Sequence, residues 1–164
     1  MPNLASEITR VAGGAQLRLR REYPSDVEDV WSAITEPERL GRWLGTIDLI
    51  GGAGRLVLGD GEDEYADIVV TECTRPRRIV LDWTYAGAST TRLLVTLTRD
   101  PSGRTSAVLE HTFPATEPAR LAGQGCGWEH YVDSLAAHLA GESLPDFADY
   151  YPAKLDQWRA VAAR

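Results

Sequence analysis

The sequence predicts an α+β domain in which an antiparallel sheet lies against one long helix near the C-terminus. Three observations predict it. The run Gly125–Ala140, GCGWEHYVDSLAAHLA, carries Trp128, Tyr131, Val132, Leu135 and Leu139 on one stripe of a 3.6-residue repeat, and so broad an apolar face needs a surface to cover it. Upstream, segment after segment alternates apolar and polar residues with the period of a half-buried strand. Short breaks rich in glycine, proline and aspartate separate those segments, as turns between successive strands do.

Taken in order, residues 1–15 carry only a weak pattern ending in Gly13-Gly14 and are expected to form a flexible N-terminal arm. From Gln16, Leu17, Leu19, Arg21 and Tyr23 share one strand face, opposite Arg18, Arg20 and Glu22, and Pro24 stops the strand. Ser25-Asp26-Val27-Glu28 has the form of a capping box, and Thr35-Glu36-Pro37-Glu38 repeats a start signal with proline in the first turn. Two short helices follow, about Asp26 to Ile34 and Pro37 to Trp43. The middle of the chain reads as strands: Leu49-Ile50 and Arg55 to Leu58 around the turn Gly51–Gly54, then, after a turn at Gly59-Asp60-Gly61, Asp63 to Cys73. Strands over Ile79 to Tyr85, Leu93 to Thr98 and Thr105 to Phe113 come next, with Asp100-Pro101-Ser102-Gly103 as a strong turn. In the last strand Ala107, Leu109, His111 and Phe113 share a face. Three alternate glycines, Gly123, Gly125 and Gly127, lie at the head of the long helix, where each costs about 1 kcal/mol relative to alanine and implies a loose start or a close backbone approach. Gly141 stops the helix, and a weaker helix, Pro152 to Ala162, lies within a C-terminal helical extension over 142–164.

Composition narrows the function. The 164 residues suit one domain, here 16–141 with its two extensions, able to bury roughly 70% of its unfolded surface. The formal charge of −7 and the scattered basic groups, Arg18/Arg20/Arg21 and Arg75/Arg77/Arg78, argue against a nucleic-acid surface. Cys73 and Cys126 have no CxxC or metal-like companions and are expected reduced. No segment approaches the ~20 apolar residues of a membrane span, and the N-terminus lacks a basic start followed by an apolar core. A soluble cytoplasmic protein without membrane contact, metal or cofactor is expected.

The order strand, two short helices, several antiparallel strands, long helix is the helix-grip arrangement. The stretch YPSDVEDVWSAITEPERLGRWLG, Trp83 in VLDWTY, Thr105–Phe113 with its His111, and Gly127-Trp128 followed by Leu135 and Leu139 go further. Over Leu17 to Ala140 the chain resembles the activator of heat-shock protein 90 ATPase homologue-like family, within the START-like (SRPBCC, Bet v-like) superfamily of ligand-binding and polyketide cyclase domains. The tail around Tyr150 to Ala162 also resembles that of bacterial members. The resemblance implies a curved sheet wrapped around the long helix, with a cavity between them opening near the two short helices. The family is named for a two-domain co-chaperone, and this chain has room for one such domain.

The chemistry of individual residues offers no strong catalytic constellation. His130 and His138 fall off the apolar stripe and are expected in solvent, and Glu129 and Asp133 fall off the stripe as well. His111 lies on the strand face beneath the helix. There it is either satisfied by a neighbouring hydroxyl or carbonyl, or it acts as a polar anchor or general acid/base in an apolar cavity. Asp67 with Tyr65 forms a second candidate pair if both face inward from their strand. Trp43, Trp83, Phe113 and Trp128, with Val132 from the helix stripe, would line the cavity. The leading expectation is a non-enzymatic protein binding a hydrophobic or aromatic small molecule between sheet and helix, with a homodimer as a further expectation. The alternatives are a stress-response or co-chaperone module that binds a chaperone, and a cyclase or hydrolase using His111 with Tyr65 or Asp67.

Overall fold

The structure, a computed structural model, describes residues 6–59, 63–114 and 117–164. An eight-stranded antiparallel sheet runs in the order β1-β2-β8-β7-β6-β5-β4-β3, so hairpins build both halves and one long connection brings β2 beside β8. The strands are β1 (Ser6–Val11), β2 (Gly14–Tyr23), β3 (Gly45–Ile50), β4 (Ala53–Leu58), β5 (Tyr65–Thr74), β6 (Arg78–Tyr85), β7 (Thr91–Arg99) and β8 (Thr105–Phe113). Helices α1 (Val27–Thr35) and α2 (Pro37–Leu40) follow β2, while α3 (Pro118–Ala140) and α4 (Phe147–Ala162) close the chain. The family fold expected from the sequence is the one observed.

Several boundaries differ, each for a local reason. Most of the expected N-terminal arm is structured: Ser6–Val11 pairs with Gly14–Leu19, because Gly13 at φ +79° lets the chain double back in a tight turn. Its residues Glu7, Thr9 and Arg10 are exposed at the sheet edge, which is why no apolar alternation marks it. Residues 1–5 and most of the expected turn at 59–61 lie outside the described residues. The cap of α1 is Asp26 rather than Ser25, its carboxylate accepting the Asp29 amide at 2.8 Å. The long helix starts at Pro118, so all three glycines fall inside it, and Gly141 at φ +69° ends it. Helix α4 begins at Phe147, capped by Asp146, and runs through Pro152.

The concave face of the sheet carries Leu17, Leu19, Leu56, Ile68, Trp83, Leu93, Leu109 and Phe113, which share one core with Leu121, Trp128 and Leu135 of α3. A register shift between Val70 and Glu72 bulges β5 and changes its parity, so that Cys73 joins Ile68 and Val70 on the concave side. The opposite face of α3 departs from expectation. Glu129 and His130 are buried and Asp133 half-buried, because α4 lies across them. The Trp158 ring sits where a side chain on Gly125 would be, within 2.2 Å of an added Cβ. Its indole N–H donates to Glu129 at 2.6 Å, the buried guanidinium of Arg21 donates to the other Glu129 oxygen at 3.2 Å, and the Tyr150 hydroxyl donates to Asp133. That hydrogen bond and burial push the Tyr150 phenol far above its usual range, burial being the larger cause. His138 is half-buried as well, accepting from the Arg39 guanidinium at 3.4 Å, and burial followed by Arg39 and Arg42 lowers its pKa.

Candidate functional site

Between the concave sheet, the α1–α2 corner and the middle of α3 lies a cavity of about 300 Å³. Alternate residues of β6 supply Ile79, Leu81 and Trp83 to it, the period-2 face legible in the sequence, while Trp43 and Leu44 enter from the turn after α2. The lining is apolar almost throughout, and the cavity reaches the surface beside Gly52, Val70 and Cys73. Trp43 is fixed as a wall because its indole N–H donates to the Ala33 carbonyl at 2.9 Å. Its polar edge is thereby satisfied and its flat face is left to the cavity.

Trp83 and Trp128 form the inner end, their rings 5.2 Å apart between centroids. Both are shared walls, because beyond them lies an open groove of about 430 Å³. A hydrogen-bond chain holds the pair. The Trp128 indole N–H donates to Nδ1 of His111 at 2.9 Å, which makes Nδ1 the unprotonated nitrogen and Nε2 the N–H. Nε2 then donates to the Thr91 hydroxyl at 2.6 Å, and that hydroxyl donates to the Trp83 carbonyl at 3.1 Å. The His111 ring is fully buried, packed 4.0 Å from Phe113 and edge-on to both indoles. Burial lowers its pKa to about 3. An imidazole with both nitrogens committed to protein partners stays neutral and has neither a lone pair nor a proton to offer a ligand.

The eight residues named from the sequence therefore separate. Trp43, Trp83 and Trp128 converge on the cavity. Val132 lines a small apolar gap of about 50 Å³ beneath α3, and Phe113 backs His111 and faces an outer niche of about 90 Å³. His111 stands behind the tryptophans and supports them, with both ring nitrogens turned to protein partners. Tyr65 and Asp67 point the other way. Ala66 and Ile68 take the concave face, and Asp67 pairs on the convex side with Arg55, at 2.7 and 3.0 Å, with the guanidinium 4.0 Å from the Tyr65 ring. Arg55 accordingly lowers the Asp67 pKa. Ala66, Ile68 and Val70 form a wholly apolar set, whereas Tyr65 and Asp67 carry polar groups, and the pleat permits only one of the two sets inside. The expected His111–Asp67 or His111–Tyr65 catalytic pair is thus not assembled. Sequence reasoning missed Thr91, whose partner is twenty positions away on the neighbouring strand.

The family model described as Activator of Hsp90 ATPase homolog 1-like protein matches residues 24–140. Among solved structures, the chain is similar to CalU16 from Micromonospora echinospora, at 25% identity over 99% of both chains with a TM-score of 0.77. It is similar also to DynU16, a protein in the dynemicin biosynthetic locus, at 25% identity over 77% of this chain and 48% of that one, TM-score 0.70. MLL2253 from Mesorhizobium loti, at 21% identity over 79% of this chain and 99% of that one, shares the fold with a TM-score of 0.68. No curated protein matches the sequence.

Proposed function

The chain belongs to the Activator of Hsp90 ATPase homolog 1-like family, and from that membership and the sheet–helix interior we propose that it binds a hydrophobic small molecule between the sheet and α3. The observation that carries this reading is the cavity of about 300 Å³ with its apolar lining and its opening beside Cys73. A cavity of that size in a packed interior is costly to leave empty, since cores otherwise approach crystal density. An aliphatic or aromatic body fits it, and no lining residue demands an ionised partner. The reading assigns no reaction, because both ring nitrogens of His111, the histidine behind the cavity wall, are spent on holding the walls.

Titration calorimetry with 1-decanol, a flexible apolar probe, tests the reading. Leu81→Trp, which places an indole across the cavity from β6, is expected to abolish saturable uptake while the protein stays folded by circular dichroism. Equal uptake by wild type and Leu81→Trp would place the probe elsewhere and overturn the assignment.

A further inference from the structure

The groove on the far side of the indole pair has its own composition. Six aromatic residues wall it: Trp83 and Tyr85 from β6, Trp128 and Tyr131 from α3, Phe147 and Tyr151 from α4. Its floor is the backbone of α3 at Gly123 and Gly127, one helical turn apart on the same face. The glycines of this helix are not equivalent. Gly125 makes room for Trp158 at 2.2 Å, and a Cβ on Gly123 would lie 3.1 Å from the Tyr151 hydroxyl. A Cβ on Gly127 would meet nothing within 4 Å. Glycine inside a helix costs about 1 kcal/mol relative to alanine, and at Gly127 no packing inside the protein requires it. What the missing side chain leaves is a flat strip of helix backbone open to the groove between aromatic walls.

The two ends differ in charge. Arg120 and Gln124 lie at one end, and the exposed Arg120 guanidinium makes no ion pair or hydrogen bond among the described residues. Glu64 lies at the other end, accepting the Tyr85 hydroxyl, and this bond, ahead of burial, pushes the Tyr85 pKa up to about 12. From Arg120 to Tyr131 the helix rises about 16 Å, enough for a body of about two or three fused rings with a polar group at each end. The chain as a whole carries −7, so an anion gains nothing at long range and must be held by contact at Arg120.

We infer that this groove is a second binding site, separate from the inner cavity, for a flat aromatic carboxylate carrying a hydroxyl at its far end. Its rings lie on the Gly123–Gly127 strip between the aromatic walls, the carboxylate engages Arg120, and the hydroxyl donates to Glu64. Arginine is suited to the first contact because its fork matches a carboxylate in two parallel hydrogen bonds. Aromatic faces on three sides favour a planar body over a branched aliphatic one.

Calorimetry with 6-hydroxy-2-naphthoate and with 2-naphthol tests this. Wild type should bind the naphthoate more tightly, and Arg120→Gln should cost about tenfold for the naphthoate and leave 2-naphthol unchanged. Gly127→Leu, which fills the floor, should weaken both by at least about tenfold. Gly127→Ala should raise the melting temperature while weakening both, a split that a purely structural glycine would not give. Leu81→Trp, which fills only the inner cavity, should leave both affinities at wild-type level. Absence of saturable naphthoate binding, wild-type affinity in Gly127→Leu, equal losses for the two ligands in Arg120→Gln, or loss of binding in Leu81→Trp would each overturn the assignment.

Discussion

His111 is the residue whose role changes most between sequence and structure. Its folded pKa of about 3 lies below the ordinary value of 6.5, so the unfolded chain takes up the proton first as pH falls. The contribution of the neutral ring to stability is complete above about pH 6.5 and is lost progressively towards pH 3, at about 1.4 kcal/mol for each unit in that window. His111→Phe keeps a ring against Phe113 and both indoles but removes the acceptor for Trp128. It should lower stability at pH 7 by about 1–3 kcal/mol, the cost of an unsatisfied buried N–H, and flatten the acid limb of the stability profile. Chemical denaturation from pH 7 to pH 4 measures both effects. A variant with the wild-type acid slope would mean that other groups set that limb and that His111 is not held neutral by burial.

Among the elements, α4 does most to change the reading of α3. The helix looks amphipathic in sequence, yet both faces are covered, one by the sheet and the other by a layer in which Trp158 meets Gly125 and Glu129 joins Arg21 to the Trp158 indole. Gly125→Ala should therefore destabilise by about 1–3 kcal/mol through overpacking, against the gain of about 1 kcal/mol that alanine brings to a helix. In a Trp158→Ala background the obstruction is gone, and the same substitution should become stabilising. Thermal melts of the four proteins in this cycle decide it. Additive effects would show that the ring can move aside at no cost and that α4 is loosely docked.

For the molecule as a whole, the sheet and its concave face were legible because the information is local. Period-2 alternation in β6 and β8 put Trp83, His111 and Phe113 on the concave face, and of these with Trp128 from the α3 stripe only Trp83 and Trp128 line the cavity. What was not legible depends on distant partners. His130 read as solvated, and Glu129 merely as off the apolar stripe, because a charged or polar residue looks the same in sequence whether water or α4 covers it. Asp67 was ambiguous because the chain around it is apolar on both faces, and only pairing with Arg55 on β4 settles its side. Thr91 and the commitment of both His111 nitrogens follow from strand register, which no single segment encodes. The cavity itself is a property of curvature, with the β5 bulge turning Cys73 inward at its mouth. The measurement that tests the central claim most directly is native mass spectrometry of the wild-type protein and Leu81→Trp, each purified without denaturation and then incubated with 1-decanol. A discrete adduct of one apolar molecule on the wild type, absent from the filled variant, is the predicted result. Bare chain mass in both, with no stoichiometric uptake, would contradict a ligand-binding interior.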